Sequence, residues 1–362
     1  MKKTFLAAAG IAALGLSAAL VADVSRSEAN NGYLVMEDVP PIPQSVVADL
    51  NRSQNTRSAA FRGWDVDGEG VFISTRFGDV SQIHYVARPG GARTQLTFFD
   101  EPVGGLSRQP DGSKMVFTMD AGGSEFSQIF LLDPASLDDA IMLTDGESRN
   151  GAVVWSRDGD RIAYQSTRRN GASNDIWMME IDNPETAGIV LESPDGTWWG
   201  PVDFAPEKAQ ILVLNYVGNM DSRVHLLDLE SGETRLLAGD PENGGANIPM
   251  GFDPDGKGFF FVTDRSGEFQ QLAWQSLEEG AEPKIITKDI PWDVEGGAMS
   301  EDGKRGAFTV NENGFSRLYL MDPASHEFAA VDGLPTGLAG SLEFSPDGSR
   351  LGMTLNTPQT PS

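Results

Sequence analysis

A short turn sequence recurs along this chain at nearly constant spacing. The pair Asp-Gly begins at Asp67, Asp111, Asp158, Asp255, Asp302 and Asp347, and Pro206-Glu207-Lys208 takes its place once. The positions 67, 111, 158, 207, 255, 302 and 347 are 44, 47, 49, 48, 47 and 45 residues apart. Self-similarity at one fixed period indicates a repeat architecture, because isolated turns do not recur in register.

Each repeat predicts four short antiparallel strands. An apolar residue such as Trp155 precedes the turn, where Asp bonds to its own backbone and Gly accepts a positive φ. Apolar residues then alternate, as Ile162 and Tyr164 do, with the period of a half-buried strand. A hairpin with Gly near its tip and a last short strand complete the unit. We therefore predict an all-β fold, a β-propeller of about seven four-stranded blades with the last one incomplete.

The seventh repeat is shorter than the others. In both the first and the sixth repeat, the third strand begins 16 residues after the turn Asp. The same distance from Asp347 gives position 363, one past Ser362. The seventh blade is thus expected to be truncated after about residue 355, with an unpaired edge that natural sheets avoid. Either the N-terminal segment, for example residues 32–37, supplies the missing strands, or the chain is a piece of a longer protein, which is the favoured explanation.

The N-terminus predicts export. Residues 1–29 have a positive start, an apolar run from Phe5 to Ala22 and small residues up to Ala29, which is the pattern of a signal peptide. A membrane anchor is the less favoured alternative, because about 18 small residues make a weak span. Residues 30–60 are a polar, Pro-containing lead-in, and residues 61–362 form the propeller. The expected location is the periplasm or the exterior.

Composition excludes several classes of function. The chain has 53 acidic and 27 basic residues, for a net charge of −26, which opposes binding to nucleic acid and to anionic membranes. It contains no Cys, so it has no disulfide, no thiolate metal site and no lipidated thiol.

No catalytic constellation emerges from the sequence. Every Gly-x-Ser lacks the final Gly of a nucleophile elbow. His84 and His225 occupy the repeat position that holds Trp177 and Tyr319 elsewhere, so both are interpreted as structural, and His326 lies in a predicted surface turn. A serine-nucleophile triad cannot be assembled from these residues.

Metal and cofactor sites are likewise not expected. Asp65 and Asp67 are spaced as in a calcium loop, but the EF-hand pattern needs an acidic residue at position 63, which is Gly63. The repeat already explains these carboxylates, and no Gly-rich phosphate loop opens a helix.

The innermost strand of each blade lies just before the Asp-Gly turn, and small residues there suit a crowded channel wall. Trp198 and Trp199 depart from that smallness, and Glu295 places a charge near the axis. In the favoured interpretation one Trp packs between blades and the other caps an edge. In the functional one these three residues line a mouth that gates a peptide or partner, and Trp199→Ala weakens binding without unfolding the ring.

The Asp-Gly turns, followed by T-x-R or TDR and by strands of the QIYLLD type, resemble the propeller of prolyl-oligopeptidase-family serine peptidases. The acylaminoacyl-peptidase and dipeptidyl-peptidase-like branch, often exported by bacteria, is the most similar in style. The resemblance is most specific over Ile73 to Gly105 and covers roughly residues 40–362. It implies a ring that acts as a size filter before a C-terminal α/β-hydrolase domain carrying Ser, Asp and His. No position here matches those catalytic motifs.

The expected function is therefore the substrate-gating propeller of an exported serine peptidase that acts on short peptides. Its partner is the missing hydrolase domain, and this chain has no catalytic centre, cofactor or stable membrane anchor. The alternative is a stand-alone TolB-like periplasmic propeller that serves as a protein-interaction module. An enzyme with its site in the propeller channel is less favoured, because no acid–base pair is found there.

Overall fold

A computed structural model describes residues 24–136 and 140–360, and this part of the chain is almost entirely β-structure. Six four-stranded sheets follow one another in chain order, each a meander of hydrogen-bonded neighbours. The all-β propeller prediction is thereby confirmed. Six repeats form complete blades, whereas the seventh forms a two-stranded sheet. The predicted signal peptide lies outside the described residues, apart from its last six positions.

An N-terminal segment precedes the ring. It contains β1 (Arg26–Ala29), a 3-10 turn (Asn30–Gly32), β2 (Leu34–Glu37) and α1 (Gln44–Gln54). β1 and β2 pair antiparallel with each other, from Arg26 opposite Glu37 to Ala29 opposite Leu34. Residues 32–37 therefore pair within this hairpin rather than with the last sheet. Helix α1 has no buried residue.

The first three blades contain twelve strands. Blade 1 has β3 (Ala60–Trp64), β4 (Val71–Thr75), β5 (Gln82–Val86) and β6 (Arg93–Gln95); blade 2 has β7 (Gly104–Arg108), β8 (Met115–Met119), β9 (Gln128–Leu132) and β10 (Ile141–Met142); blade 3 has β11 (Asn150–Trp155), β12 (Arg161–Ser166), β13 (Asp175–Glu180) and β14 (Asn183–Leu191).

The remaining strands follow the same order. Blade 4 has β15 (Trp198–Phe204), β16 (Gln210–Gly218), β17 (Asp221–Asp228) and β18 (Thr234–Ala238); blade 5 has β19 (Asn247–Phe252), β20 (Gly258–Thr263), β21 (Gln271–Ser276) and β22 (Lys284–Ile285); blade 6 has β23 (Val294–Met299), β24 (Gly306–Glu312), β25 (Phe315–Met321) and β26 (Phe328–Ala330). The last sheet has β27 (Leu338–Phe344) and β28 (Leu351–Asn356).

The second strand of each complete blade forms the core. In β20 all six residues from Gly258 to Thr263 are buried, because blades cover both faces of the strand. The prediction of a half-buried strand at this position is therefore wrong, since β20 and β12 are buried on both faces by the neighbouring blades. The core is thus a series of clusters between successive blades, one of which joins Phe252, Phe259 and Phe261 of blade 5 to Leu226 of blade 4.

The recurrent turns interlock around the ring. Each turn glycine has a positive φ and faces the turn of the preceding blade; the glycine–neighbour pairs are Gly68–Pro346, Gly112–Val66, Gly159–Pro110, Gly256–Pro206, Gly303–Pro254 and Gly348–Ser300. A side chain at these glycines would meet that neighbour. The glycines are therefore required both by backbone conformation and by the packing of one blade on the next.

The turn aspartates are structural. Asp302 accepts hydrogen bonds from the Ser300 hydroxyl at 2.7 Å and from the Lys304 backbone N–H at 3.1 Å. The Ser300 bond is the main reason that the pKa of Asp302 falls to about 2. Asp347 repeats this arrangement with the Ser345 hydroxyl and the Ser349 backbone N–H. These carboxylates hold the turns in shape, as Asx-turns do.

The two-stranded sheet fills the sector between blade 6 and blade 1. Strand β27 contacts β23 on one side and β3 on the other. The Phe61 N–H donates to the Thr354 hydroxyl at 2.8 Å, and the Trp64 indole N–H donates to the Glu343 carbonyl at 3.0 Å. Contacts between the two ends of the propeller, rather than a shared strand, therefore close the ring.

We expect Gly303→Ala to destabilise the fold more than Gly314→Ala. Both glycines have positive φ, +67° and +85°, so alanine at either costs about 1–2 kcal/mol in backbone strain. At Gly303 a methyl group also meets Pro254, which adds overpacking of about 1–3 kcal/mol, whereas Gly314 faces open space. Urea unfolding measures both free energies, and equal losses would contradict the interlocking of the turns.

Candidate functional site

The channel wall is built from the first strand of each sheet. These inner strands are β3, β7, β11, β15, β19, β23 and β27, and each lies at the edge of its sheet. All of them end at a recurrent turn, so the ring has two distinct faces. We call the face where the inner strands begin the start face, and the face that carries the recurrent turns the turn face. Trp198 and Glu295 belong to the start face.

A cavity of about 480 Å³ lies beside Glu295 between β23 and β27, and its lining includes Gly296, Gly297 and Gly340. The inner strands have bulges here, since the pairing register shifts between Val294 and Gly296 in β23 and again in β27. Bulges and glycines leave main-chain groups accessible, because they interrupt the ladder and remove side chains.

The Glu295 carboxylate is held in place at this cavity. One oxygen accepts a hydrogen bond from the Asn311 side-chain amide and the other from the Ser316 hydroxyl, both at 3.0 Å. Glu295 is nevertheless exposed. A carboxylate has about four acceptor positions, so it can still receive an ammonium or amide donor from a ligand.

The two tryptophans have different surroundings. Trp199 is 4% exposed, and it shares a cluster with Ile176 of blade 3. Its indole N–H donates to Asp195 at 2.9 Å, and its ring centroid lies 4.7 Å from that of His225. Trp198 is partly exposed, and its ring lies over Gly200. Trp199 therefore packs between blades 3 and 4, and the gating role of Trp198, Trp199 and Glu295 stays a prediction.

The three histidines lie apart in the ring. His84 is fully buried, bonds to the Gln82 carbonyl at 3.1 Å and has a pKa lowered mainly by burial. Burial, with a smaller effect from Arg223, lowers the pKa of His225 to about 4, so it is neutral at pH 7. His326 Nδ1 lies 2.7 Å from the Lys284 ammonium group. These partners are a carbonyl and a cation, not those of a nucleophile–base pair.

Two partly buried carboxylates were missed in the sequence. Asp203 and Glu343 hold the same repeat position, one residue before the end of the inner strand, and accept from the backbone N–H of the next blade at Phe252 (2.9 Å) and Trp64 (3.5 Å). Burial raises the pKa of both carboxyl groups, although the charge of a nearby arginine lowers each pKa in part. Aligning the repeats reveals these acids, because the equivalent position is Gly63 in repeat 1.

Within residues 24–136 and 140–360, no three His, Cys, Asp or Glu side chains are grouped as metal ligands. The same described residues include no helix with the length and apolar character of a membrane span.

No family model matches the chain. An uncharacterised protein of Agrobacterium fabrum is 26% identical to it over 142 residues, which is 37% of this chain and 47% of that protein. The match therefore spans about half the length of this curated relative.

Three solved structures are similar in fold. Prolyl oligopeptidase B from Galerina marginata has a TM-score of 0.67 and 13% identity over 94% of this chain and 57% of its own. Oligogalacturonate lyase from Vibrio parahaemolyticus has a TM-score of 0.60 and 12% identity over 91% of this chain and 92% of its own. A putative TolB from Agrobacterium tumefaciens has a TM-score of 0.54 and 16% identity over 83% of this chain and 99% of its own. At these identities the likeness shows the propeller fold alone.

Trp199→Ala should destabilise the protein by about 3–5 kcal/mol, because it removes a large buried ring from between two blades. Trp198→Ala is the matched control. Because the Trp198 ring is partly exposed, its removal should lower the free energy of unfolding by clearly less. Chemical denaturation gives both values. A stable Trp199→Ala variant with weakened ligand binding would instead support the gating interpretation.

His225 should contribute a pH-dependent loss of stability. Its pKa is about 4 in the fold, below the usual histidine pKa of about 6.5, so the unfolded chain binds its proton first as the pH falls. Stability should therefore drop between pH 6.5 and 4, by about 3 kcal/mol at most. His225→Phe keeps an aromatic ring and should flatten this part of the stability–pH profile. An unchanged profile would contradict the buried, neutral state of His225.

Proposed function

We propose that this chain is the propeller part of an exported serine peptidase of the prolyl-oligopeptidase family, and that it limits access to short peptides. In this proposal the bond-breaking chemistry belongs to an α/β-hydrolase domain that partners the ring. The ring itself binds and filters, and it does not cleave.

Two structures of prolyl-oligopeptidase-type peptidases share the propeller fold with this chain, which is in keeping with this assignment. Prolyl oligopeptidase B aligns with 94% of this chain at a TM-score of 0.67, and a second prolyl endopeptidase aligns with 84% at 0.64. In those proteins the aligned part is 57% and 51% of the chain, which leaves room for a further domain. The putative TolB scores lower, at 0.54.

The observation that carries the proposal is the cavity beside Glu295. It lies on the start face, next to inner strands whose glycines expose main-chain groups. An extended peptide offers the complementary main-chain donors and acceptors, and its terminal ammonium matches the Glu295 carboxylate. Charge-assisted hydrogen bonds of this kind are about twice as strong as neutral ones.

A TolB-like interaction module is the second candidate function. It is favoured by coverage, because this chain aligns with 99% of the putative TolB from Agrobacterium tumefaciens. Such a module binds a folded partner and needs no opening for short peptides.

Fluorescence anisotropy with the full chain tests the proposal. A short peptide with a free amino terminus and a dye at its other end should bind, and Glu295→Gln should weaken binding about tenfold, as expected for one charge-assisted hydrogen bond. Glu327→Gln, which removes an exposed carboxylate from the turn face of the same blade, should leave affinity unchanged. A serine-directed probe should not label the chain.

Two results would overturn this assignment. Labelling by the serine-directed probe would place catalysis within the ring. Absence of peptide binding, or equal effects of Glu295→Gln and Glu327→Gln, would remove the start-face cavity as a peptide site and favour the interaction module.

A further inference from the structure

One ion pair connects two blades that are not neighbours. Arg108 is the last residue of β7 in blade 2, and its Nη2 lies 3.0 Å from Oε1 of Glu301, which follows β23 in blade 6. The two residues are 193 positions apart. Blade 1 and the two-stranded sheet separate them on one side of the ring, and blades 3 to 5 on the other. The pair therefore crosses the channel, at its turn face.

Arg108 occupies a position that other repeats fill with a large apolar side chain. The equivalent residues are Trp64, Trp155, Phe204, Phe252, Met299 and Phe344. Where this residue is Trp, its indole N–H donates to a carbonyl of the preceding blade, as Trp155 does to Ser107 at 3.3 Å. This position thus normally joins adjacent blades. In blade 2 a cation replaces the apolar group and reaches past the adjacent blade.

Glu301 is also exceptional at its own position. The equivalent residues two places after the inner strand are Val66, Pro110, Arg157, Pro206, Pro254 and Pro346. Glu301 is the acidic member of this set. The two departures from the repeat, one basic and one acidic, therefore occur in opposite blades and meet.

Burial makes Arg108 dependent on its carboxylate partner. Its side chain is 11% exposed, whereas that of Glu301 is 55% exposed. The Nε of Arg108 is buried without a hydrogen-bond partner in the described structure. A desolvated cation needs a nearby anion, because little water remains to solvate it.

Glu343 belongs to the same electrostatic cluster. Its carboxylate faces blade 1, where it lies against Gly63. Burial raises the pKa of Glu343, the charge of Arg108 lowers it, and that of Glu301 raises it further. Arg108 thus lies near two carboxylates, that of Glu301 from blade 6 and that of Glu343 from the two-stranded sheet.

We propose that Arg108 and Glu301 form a strut that ties blade 2 to blade 6 across the channel and fixes the width of its turn-face mouth. The strut spans the sector that holds the two-stranded sheet, where the ring has the fewest strands. It acts on the ring itself, whatever ligand the channel takes.

Distance measurement between two spin labels tests the strut. The chain has no Cys, so Ser113→Cys and Lys304→Cys introduce a unique pair of thiols. Both residues are exposed and follow the turn glycine in blades 2 and 6. In this doubly labelled protein, double electron–electron resonance should give one narrow distance distribution. Adding Arg108→Gln or Glu301→Gln should broaden it and shift it to longer distances.

A matched ion pair completes the test. Arg317→Gln, which breaks an exposed pair with Asp332 within blade 6, should leave it unchanged. If Arg108→Gln fails to fold, Glu301→Gln decides, because that side chain is half exposed. An unchanged distribution in the foldable single variants would overturn the proposal.

Discussion

The packing of each recurrent turn onto the turn of the preceding blade is the contact on which the ring depends. In six of the seven repeats it uses a glycine at positive φ, as at Gly303, against a compact residue such as Pro254 in the preceding turn, whereas the turn of blade 4 has Lys208 in place of the glycine. In four of the turns the aspartate accepts a local backbone N–H, as Asp302 does from Lys304, so that the turn stays rigid while it packs. Because one geometry is repeated, it sets the angle between blades and so the closure of the circle. Motifs of this kind are easily mistaken for calcium loops or catalytic acids, yet their carboxylates are occupied by their own turns.

The sequence was sufficient for the fold because the repeat is local. Turn glycines, alternating apolar residues and hairpin tips all lie within one repeat, so spacing alone locates the blades. Long-range partners leave no such pattern. The contact between Arg108 and Glu301 joins residues 193 positions apart, and nothing within either repeat indicates the other residue as a partner. The same limit applies to Trp199, since nothing in the pair Trp198-Trp199 tells which ring faces the neighbouring blade. Comparing repeats position by position is the signal that singles out Arg108, Glu301, Asp203 and Glu343.

The two faces of the ring differ in chemistry. The start face has the glycine-bordered cavity and the exposed Glu295 carboxylate, where main-chain groups are available to a ligand. At the turn face, charged side chains meet across the axis, and partly buried acids accept N–H groups from the next blade. His84 and His225 are kept neutral by burial inside blades.

Closure of the ring by contact between its first and last sheets has a kinetic consequence. Phe61 and Thr354 meet although 293 positions separate them, whereas strands within a blade pair after short hairpins. Loop-closure entropy grows with the length of the intervening chain, so this junction is the costliest to nucleate. Blades can form one after another from local contacts, but the circle is completed only when its first and last sheets meet. Folding should therefore pass through an open arc, and the final joining step should set the slowest rate, in keeping with the slow folding of proteins dominated by distant contacts.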